Sequence, residues 1–229
     1  MKKRLLFSLI VITNLFLVAG CGSPKEEGKE NLISEGVINY TAEVVDMSNS
    51  MADMAPSKMI VKFKNNKSSA GMSAGMGALT MSFIADPEAK TLTQLVWFLG
   101  KKYSLIQNST DIQKENELFN IEIIPTNQTK VIAGYNCKKA KVHYKGGDPN
   151  DYDIYYTTEI NIENSNFANP YYKIDGVLME YRIKKFGLEL QFTATSVTKE
   201  PVEDTNFEIP PEYKAITAQE MTDLFIELQ

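Results

Sequence analysis

Few side chains in this chain are equipped for chemistry. His143 is the only histidine, and Cys137 is one of two cysteines, the other being Cys21. A catalytic triad or a histidine-based metal site would need His143 together with close partners. Alternation along its strand sets Lys141 on the same face rather than a carboxylate, so His143 is expected on a surface. Lys138 and Lys139 beside Cys137 would favour a reactive thiolate. With no disulfide partner and no redox motif, a packed strand thiol is the expectation instead. Asp151 and Asp153 share a face at period two, and Asp148 is near them in sequence. They lack the Asp-x-Asp-x-Asp-Gly order of a calcium loop, which leaves a solvated strand edge. The small-residue run Ser68 to Gly77 lacks the Gly-Lys-Ser/Thr of a phosphate cradle. No pair for glycosidic cleavage stands out among 29 acidic residues. The expectation is therefore no catalytic residue, no metal and no cofactor.

Cys21 carries a different chemistry. Lys2, Lys3 and Arg4 precede a mostly apolar stretch, Leu5 to Val18, and Ala19-Gly20 supplies small residues before it. That is the layout of an export signal over residues 1–20, and the apolar run is shorter than the roughly 20 residues of a spanning helix. Val18-Ala19-Gly20-Cys21 resembles the lipobox of bacterial lipoproteins. The resemblance implies that Cys21 becomes the first residue of the mature chain and carries acyl chains such as palmitate. Two or three chains anchor stably where one does not, because each buried methylene contributes about 0.8 kcal/mol. Residues 21–34 then form a polar tether. Its Lys25-Glu26-Glu27 resembles a surface-export signal found in one group of Gram-negative bacteria, whereas Gly22 is not the aspartate of inner-membrane retention. An outer-membrane anchor is expected, with its periplasmic or outer face left open.

Without residues 1–20 the chain keeps 209 of its 229 residues, and losing three basic residues takes the formal charge from −5 to −8. An acidic chain with no basic run offers nucleic acid no electrostatic footprint. Attachment to a membrane would rest on the lipid rather than on charge. With Cys21 consumed, no intramolecular disulfide is possible, and a domain of this size can stand on its core alone.

From Glu35 onward period-two alternation dominates, which predicts strands. Ile38, Tyr40, Ala42 and Val44 alternate with polar residues, then Met59, Val61 and Phe63, with a turn at Asn65-Asn66-Lys67. Ser68 to Gly77 is expected to be a hairpin end whose Met72 and Met76 either pack on the domain edge or form an adaptable lid. Strands follow over Leu79 to Ala85, Thr91 to Leu99 and Tyr103 to Gln107, with Trp97 beside Leu95 and Leu99 on one face. Asn108 to Glu117 is a connection or short helix. A strand over Leu118 to Ile124 is followed by a turn at Pro125 to Thr129 and a strand from Val131 to Tyr144. Gly146 to Asn150 is a loop, and Tyr152 to Ile160 a further strand. Tyr171 to Lys184 and Leu188 to Thr198 pair as a hairpin. Thr217-Ala218-Gln219-Glu220 is a capping box opening a helix over 217–228, whose Met221, Leu224, Phe225 and Leu228 form one apolar face.

Three stretches carry a family likeness: Gly134-Tyr135-Asn136-Cys137-Lys138-Lys139-Ala140, Tyr155-Tyr156-Thr157-Thr158-Glu159-Ile160, and Ile174-Asp175-Gly176-Val177-Leu178. Their order, with the Phe207-Glu208-Ile209-Pro210-Pro211-Glu212-Tyr213 close, resembles the GLPGLI-type families of exported bacterial proteins over residues 118–213. The third stretch departs from the eponymous sequence. The resemblance implies the LolA/LolB/LppX fold, a curved antiparallel sheet forming an open, unclosed barrel around an apolar cavity, here with a short C-terminal helix over a single domain, residues 35–229. On that reading Trp97, Met179, Tyr181, Ile183, Leu188, Leu190 and Phe192 line a site for an acyl chain or other lipid. The alternative is a structural envelope lipoprotein with a solid core and protein partners but no ligand.

Overall fold

The computed structural model describes residues 32–145, 151–185 and 187–226. The export signal, Cys21, most of the tether, the expected loop 146–150 and Leu228 lie outside the described residues. Twelve strands form one sheet: β1 (Glu35–Val44), β2 (Lys58–Lys64), β3 (Lys67–Ala74), β4 (Leu79–Asp86), β5 (Thr91–Phe98), β6 (Lys101–Gln107), β7 (Ile121–Ile132), β8 (Tyr135–Tyr144), β9 (Tyr152–Thr157), β10 (Val177–Lys185), β11 (Leu188–Thr198) and β12 (Lys214–Ala215). Their order is β12-β6-β5-β4-β3-β2-β1-β11-β10-β9-β8-β7, antiparallel except where β12 runs parallel to β6. The two ends, β12 and β7, do not pair with each other. The expected open, mainly β architecture is the observed one.

Curvature follows from a single contact. Five strand steps separate β4 from β10 in the order, about 24 Å if the sheet lay flat. Yet Lys185 Nζ on β10 sits 5.4 Å from the centroid of the Phe83 ring on β4. Only a sheet that bends back on itself brings those two together. The bend places the inner rows of β1 to β5 opposite those of β10 and β11.

Local sequence explains most connections. Hairpins with positive φ at both central residues match the twist of the strands they join. Asn65 and Asn66 (φ 49° and 64°) do this between β2 and β3, Leu99 and Gly100 (45° and 84°) between β5 and β6, and Ala133 and Gly134 (50° and 87°) between β7 and β8. The last hairpin lies downstream of the expected turn. Residues 125–129 are not a turn but a bulge inside β7, between the pairs Pro125–Ala140 and Thr129–Lys138. Thr126 Oγ1 donates to Lys139 O at 3.0 Å and accepts from Gln128 N at 3.3 Å, so side-chain bonds replace the interrupted ladder. With Pro125 and this bulge, the edge strand β7 resists pairing with another chain.

Residues 68–74 also differ from expectation. They are not a hairpin end but most of β3, paired along its length to β2 and β4. Ser, Gly and Ala have weak intrinsic strand preference; pairing on both sides overrides it. Met72 stands directly across from Met59 on one neighbour and Met81 on the other. Only Met76, in the short 3-10 turn Gly75–Gly77, is fully exposed.

Helix α1 (Ser109–Leu118) begins with a capping box not anticipated from sequence. Asn108 Oδ1 accepts from Thr110 N and Asp111 N, and Asp111 Oδ2 accepts from Asn108 N. The expected box at helix α2 (Ala218–Ile226) is present: Glu220 N donates to Thr217 Oγ1 at 3.2 Å and Thr217 N to Glu220 Oε2 at 2.7 Å. Buried Met221 and Phe225 pack on Met81 and Val96, so α2 docks on the inner face of β4 and β5.

Strand β10 starts at Val177 rather than Tyr171, because Gly176 turns the chain in at φ 139°. The Gly176 carbonyl accepts from Ser165 Oγ (2.9 Å) and Asn166 Nδ2 (2.8 Å), and a Cβ there would stand 2.6 Å from Thr157 O. Gly176→Ala is therefore expected to cost about 2 kcal/mol or more, measured as a lowered urea midpoint with an unchanged slope.

Candidate functional site

The bent sheet and its covering segments line a part-open cavity of about 290 Å³, just under the usual ligand-pocket range of roughly 300–1,000 Å³. Its walls are the inward rows of β1 to β5, β10 and β11, with Phe225 of α2 closing one side. Alternation places these side chains: Tyr40, Met59, Met72 and Met81 stand in register across four adjacent strands.

Of the seven residues expected to line a ligand site, Tyr181, Ile183, Leu188, Leu190 and Phe192 do border the cavity. Met179 does not; it is fully buried in the core cluster that also holds Cys137 and Ile132. Trp97 does not either. Its neighbours Val96 and Phe98 pack toward α2, and Phe98 lines the cavity, so Trp97 points to the other face of β5. The sequence showed both faces of β5 to be apolar, but alternation cannot tell which face is the hollow one.

Methionine is the feature that pattern reading undervalued. Met51, Met54, Met59, Met72 and Met81 all border the cavity. The Met54 methyl group lies 3.4 Å from where a Cβ would stand on Gly75, so the segment holding the 3-10 turn Ala52–Met54 meets the Gly75–Gly77 turn at the rim. Thioether side chains have soft, adjustable packing, and a wall built from them can follow ligands of different shape. The signal was present in the composition, ten methionines in one chain.

Aromatic packing stiffens the opposite wall. The Tyr181 ring stands edge-on to Tyr40 (6.1 Å, 85°) and to Tyr171 (6.1 Å, 80°), and 5.4 Å from Phe192. Tyr40 donates its hydroxyl to Leu178 O at 2.8 Å, and the Tyr171 hydroxyl donates to Arg182 O. Burial pushes the phenols of Tyr40 and Tyr181 well above their usual range, so both stay neutral.

Charge enters the cavity at one place. Glu115 and Lys185 are the only charged residues among those lining it, and they pair at 2.6 Å. Gln107 Nε2 donates to the other carboxylate oxygen at 2.8 Å. Burial alone would raise the Glu115 carboxyl, but Lys185 and Gln107 outweigh it and hold the group below its ordinary value of 4.5.

The residues singled out for catalysis are elsewhere. Cys137 is fully buried, and burial raises its thiol to about 11, so it is protonated at neutral pH and a poor nucleophile. His143 corrects the expectation made for it. It is exposed, but it does face a carboxylate: Nδ1 lies 2.7 Å from Asp151 Oδ1. Glu122 stands across from it on β7. Alternation within one strand could show neither, since Asp151 precedes β9 and Glu122 is on β7. Asp153 is on the same strand face as Asp151 but pairs with Lys139 at 2.7 Å. Among the described residues no three His, Cys, Asp or Glu side chains converge as a metal would require. Nor is any described helix long and apolar enough to cross a membrane.

No family model and no curated protein matches the chain, so the likeness to GLPGLI-type proteins stays one of motifs. Among solved structures, the chain is similar to PNGF-II, with a TM-score of 0.52 and 16% identity over 85% of this chain. It spans 33% of the length of PNGF-II, about a third of it. That likeness concerns the fold alone. The chain is also similar to the lipoprotein LppX of Mycobacterium tuberculosis (TM-score 0.35, 13% identity, 77% of this chain and 92% of that one). A third is LprF of Mycobacterium bovis (0.31, 14%, 79% and 90%). Overlaps that small bear on neither function nor ligand.

The ion pair has a pH signature. A carboxyl held low in the folded state contributes stability above its unfolded value, and that contribution is lost as pH falls through the folded value. Wild type should therefore lose denaturant resistance more steeply below about pH 4.5 than Glu115→Gln, read as unfolding midpoint against pH.

Proposed function

We propose that this protein is an envelope lipoprotein, anchored to the outer membrane through acylated Cys21, which holds an acyl chain or other lipid inside its bent sheet. The observation that carries the reading is the cavity: about 290 Å³ walled by inward rows of apolar side chains with one neutralised ion pair. A buried apolar space of that kind favours a greasy occupant, because removing apolar surface from water releases about 25 cal/mol per Å². The methionine row supports a carrier that tolerates chain variation over one that selects a single rigid ligand. A purely structural envelope protein has no use for a hollow interior, which costs packing contacts. In this role the protein is not an enzyme: it contains and releases, and the acyl anchor keeps it at the membrane that supplies the cargo. Residues 21–34 act as the tether, whose end is fixed where Ile33 bridges to Ile160, and residues 35–229 as the single ligand-holding domain.

Two measurements test the two halves. Native mass spectrometry of the unlipidated Cys21→Ser protein should show a lipid-sized adduct, and a fluorescent fatty acid should be taken up. Leu190→Trp, which intrudes on the cavity wall, should weaken uptake about tenfold while circular dichroism still reports the sheet. A clean apo mass together with no uptake rejects the carrier. Metabolic labelling with palmitate should mark the wild-type chain and not Cys21→Ser; an unlabelled wild type rejects the anchor.

A further inference from the structure

Behind the Glu115–Lys185 pair that borders the cavity lie two buried amides. Gln94 on β5 and Gln107 on β6 are 2% and 8% exposed. Gln107 is opposite Leu92 and Gln94 opposite Leu105, so both glutamines are on the strand face that carries the cavity residue Leu92. Among the described residues, the buried side-chain nitrogen and oxygen atoms lacking a partner are Gln94 Nε2 and Gln107 Oε1. The Gln107 amide is oriented by Glu115, which accepts from its Nε2 and leaves Oε1 as the spare end. In front of them Glu115, Asn116 and Lys185 face the cavity, and Lys185 also covers Phe83, the residue directly across from Gln94. A buried polar atom without a partner costs stability, and such groups gather where something other than folding is served.

Resting on the carrier reading above, we infer that the cavity takes a single-chain amphiphile with an uncharged hydroxyl or amide head, seated at Glu115, Asn116 and Lys185. The carboxylate accepts a hydrogen bond from the head, while the ammonium and the Asn116 amide donate to it; a hydroxyl or primary amide answers both demands. A charged head meets no opposite net charge, because Glu115 and Lys185 cancel each other. A carboxylate or phosphate would shed its water beside Glu115, and a quaternary amine beside Lys185, and neither would be compensated. The apolar rows leading away from this end receive the chain.

The test compares four ligands of equal chain length, dodecanol, dodecanamide, dodecanoate and dodecyltrimethylammonium, by displacement of an uncharged fluorescent probe, N-phenyl-1-naphthylamine, from the Cys21→Ser protein. The alcohol and the amide should bind about tenfold tighter than either ion. Glu115→Leu/Lys185→Met replaces the pair by apolar groups of similar volume and should still fold, with a modestly lowered thermal midpoint because buried Gln107 Nε2 loses its acceptor. It should keep chain binding and lose the preference for uncharged heads. Equal binding of all four, a preference for an ion, or a preference that survives in the double variant would overturn the head-group assignment and leave the carrier standing. Failure of all four to displace the probe, or of the probe to bind, would overturn both.

Discussion

The constraint on which this structure depends is the bend that makes one continuous sheet face itself. Every strand in a sheet is rotated from its neighbour by the same handed twist, so twelve of them in sequence cannot stay flat. Here the coiling sheet does not close, and its ends are finished separately: a two-residue parallel strand on β6 and a bulged, proline-bearing β7. Contacts across the opening hold the bend. Lys185 reaches over Phe83 and pairs with Glu115, linking β10 to β4 and to α1, while α2 packs Met221 and Phe225 against Met81 and Val96. The reach of Lys185 from β10 to β4 joins strands that a flat sheet would keep well apart.

A closed barrel of this circumference would have to fill its interior or hold water. The open form divides its interior. One part of the inner surface is packed solid, around Ile38, Phe63, Met179 and Cys137 and around Val142, Ile154 and Tyr171. The other part stays hollow between the methionine row and the Tyr181–Phe192 wall. The division matters physically. The solid part supplies stability and the hollow part gives up some dispersion contact. A stiff aromatic wall facing a compliant thioether wall suits a guest whose outline varies while its place stays the same.

The outer surface carries ordinary ion pairs, Lys67–Asp86, Lys130–Glu180 and Lys139–Asp153 among them. Exposed pairs of this sort contribute little to stability. His143 with Asp151 belongs to the same outer layer. The pair at the cavity is distinguished by its partners: the buried Gln107 amide donates to the same carboxylate.

Period-two alternation placed most of the strands, and five of the seven residues expected to line a ligand site border the cavity, because in a sheet alternate side chains must take opposite faces. The capping residues Thr217 and Glu220 likewise settled where the last helix begins, since their bonds are made within one turn. What alternation could not decide was which face of β5 turns inward, whether Ser68 to Ala74 pairs, or that Asp151 meets His143. Those outcomes depend on elements other than the strand being read, through ladder register and the bend of the whole sheet. The hollow itself belongs to the tertiary structure alone: the same apolar rows would pack solid in a flatter sheet, and only their separation across the curve leaves space between them.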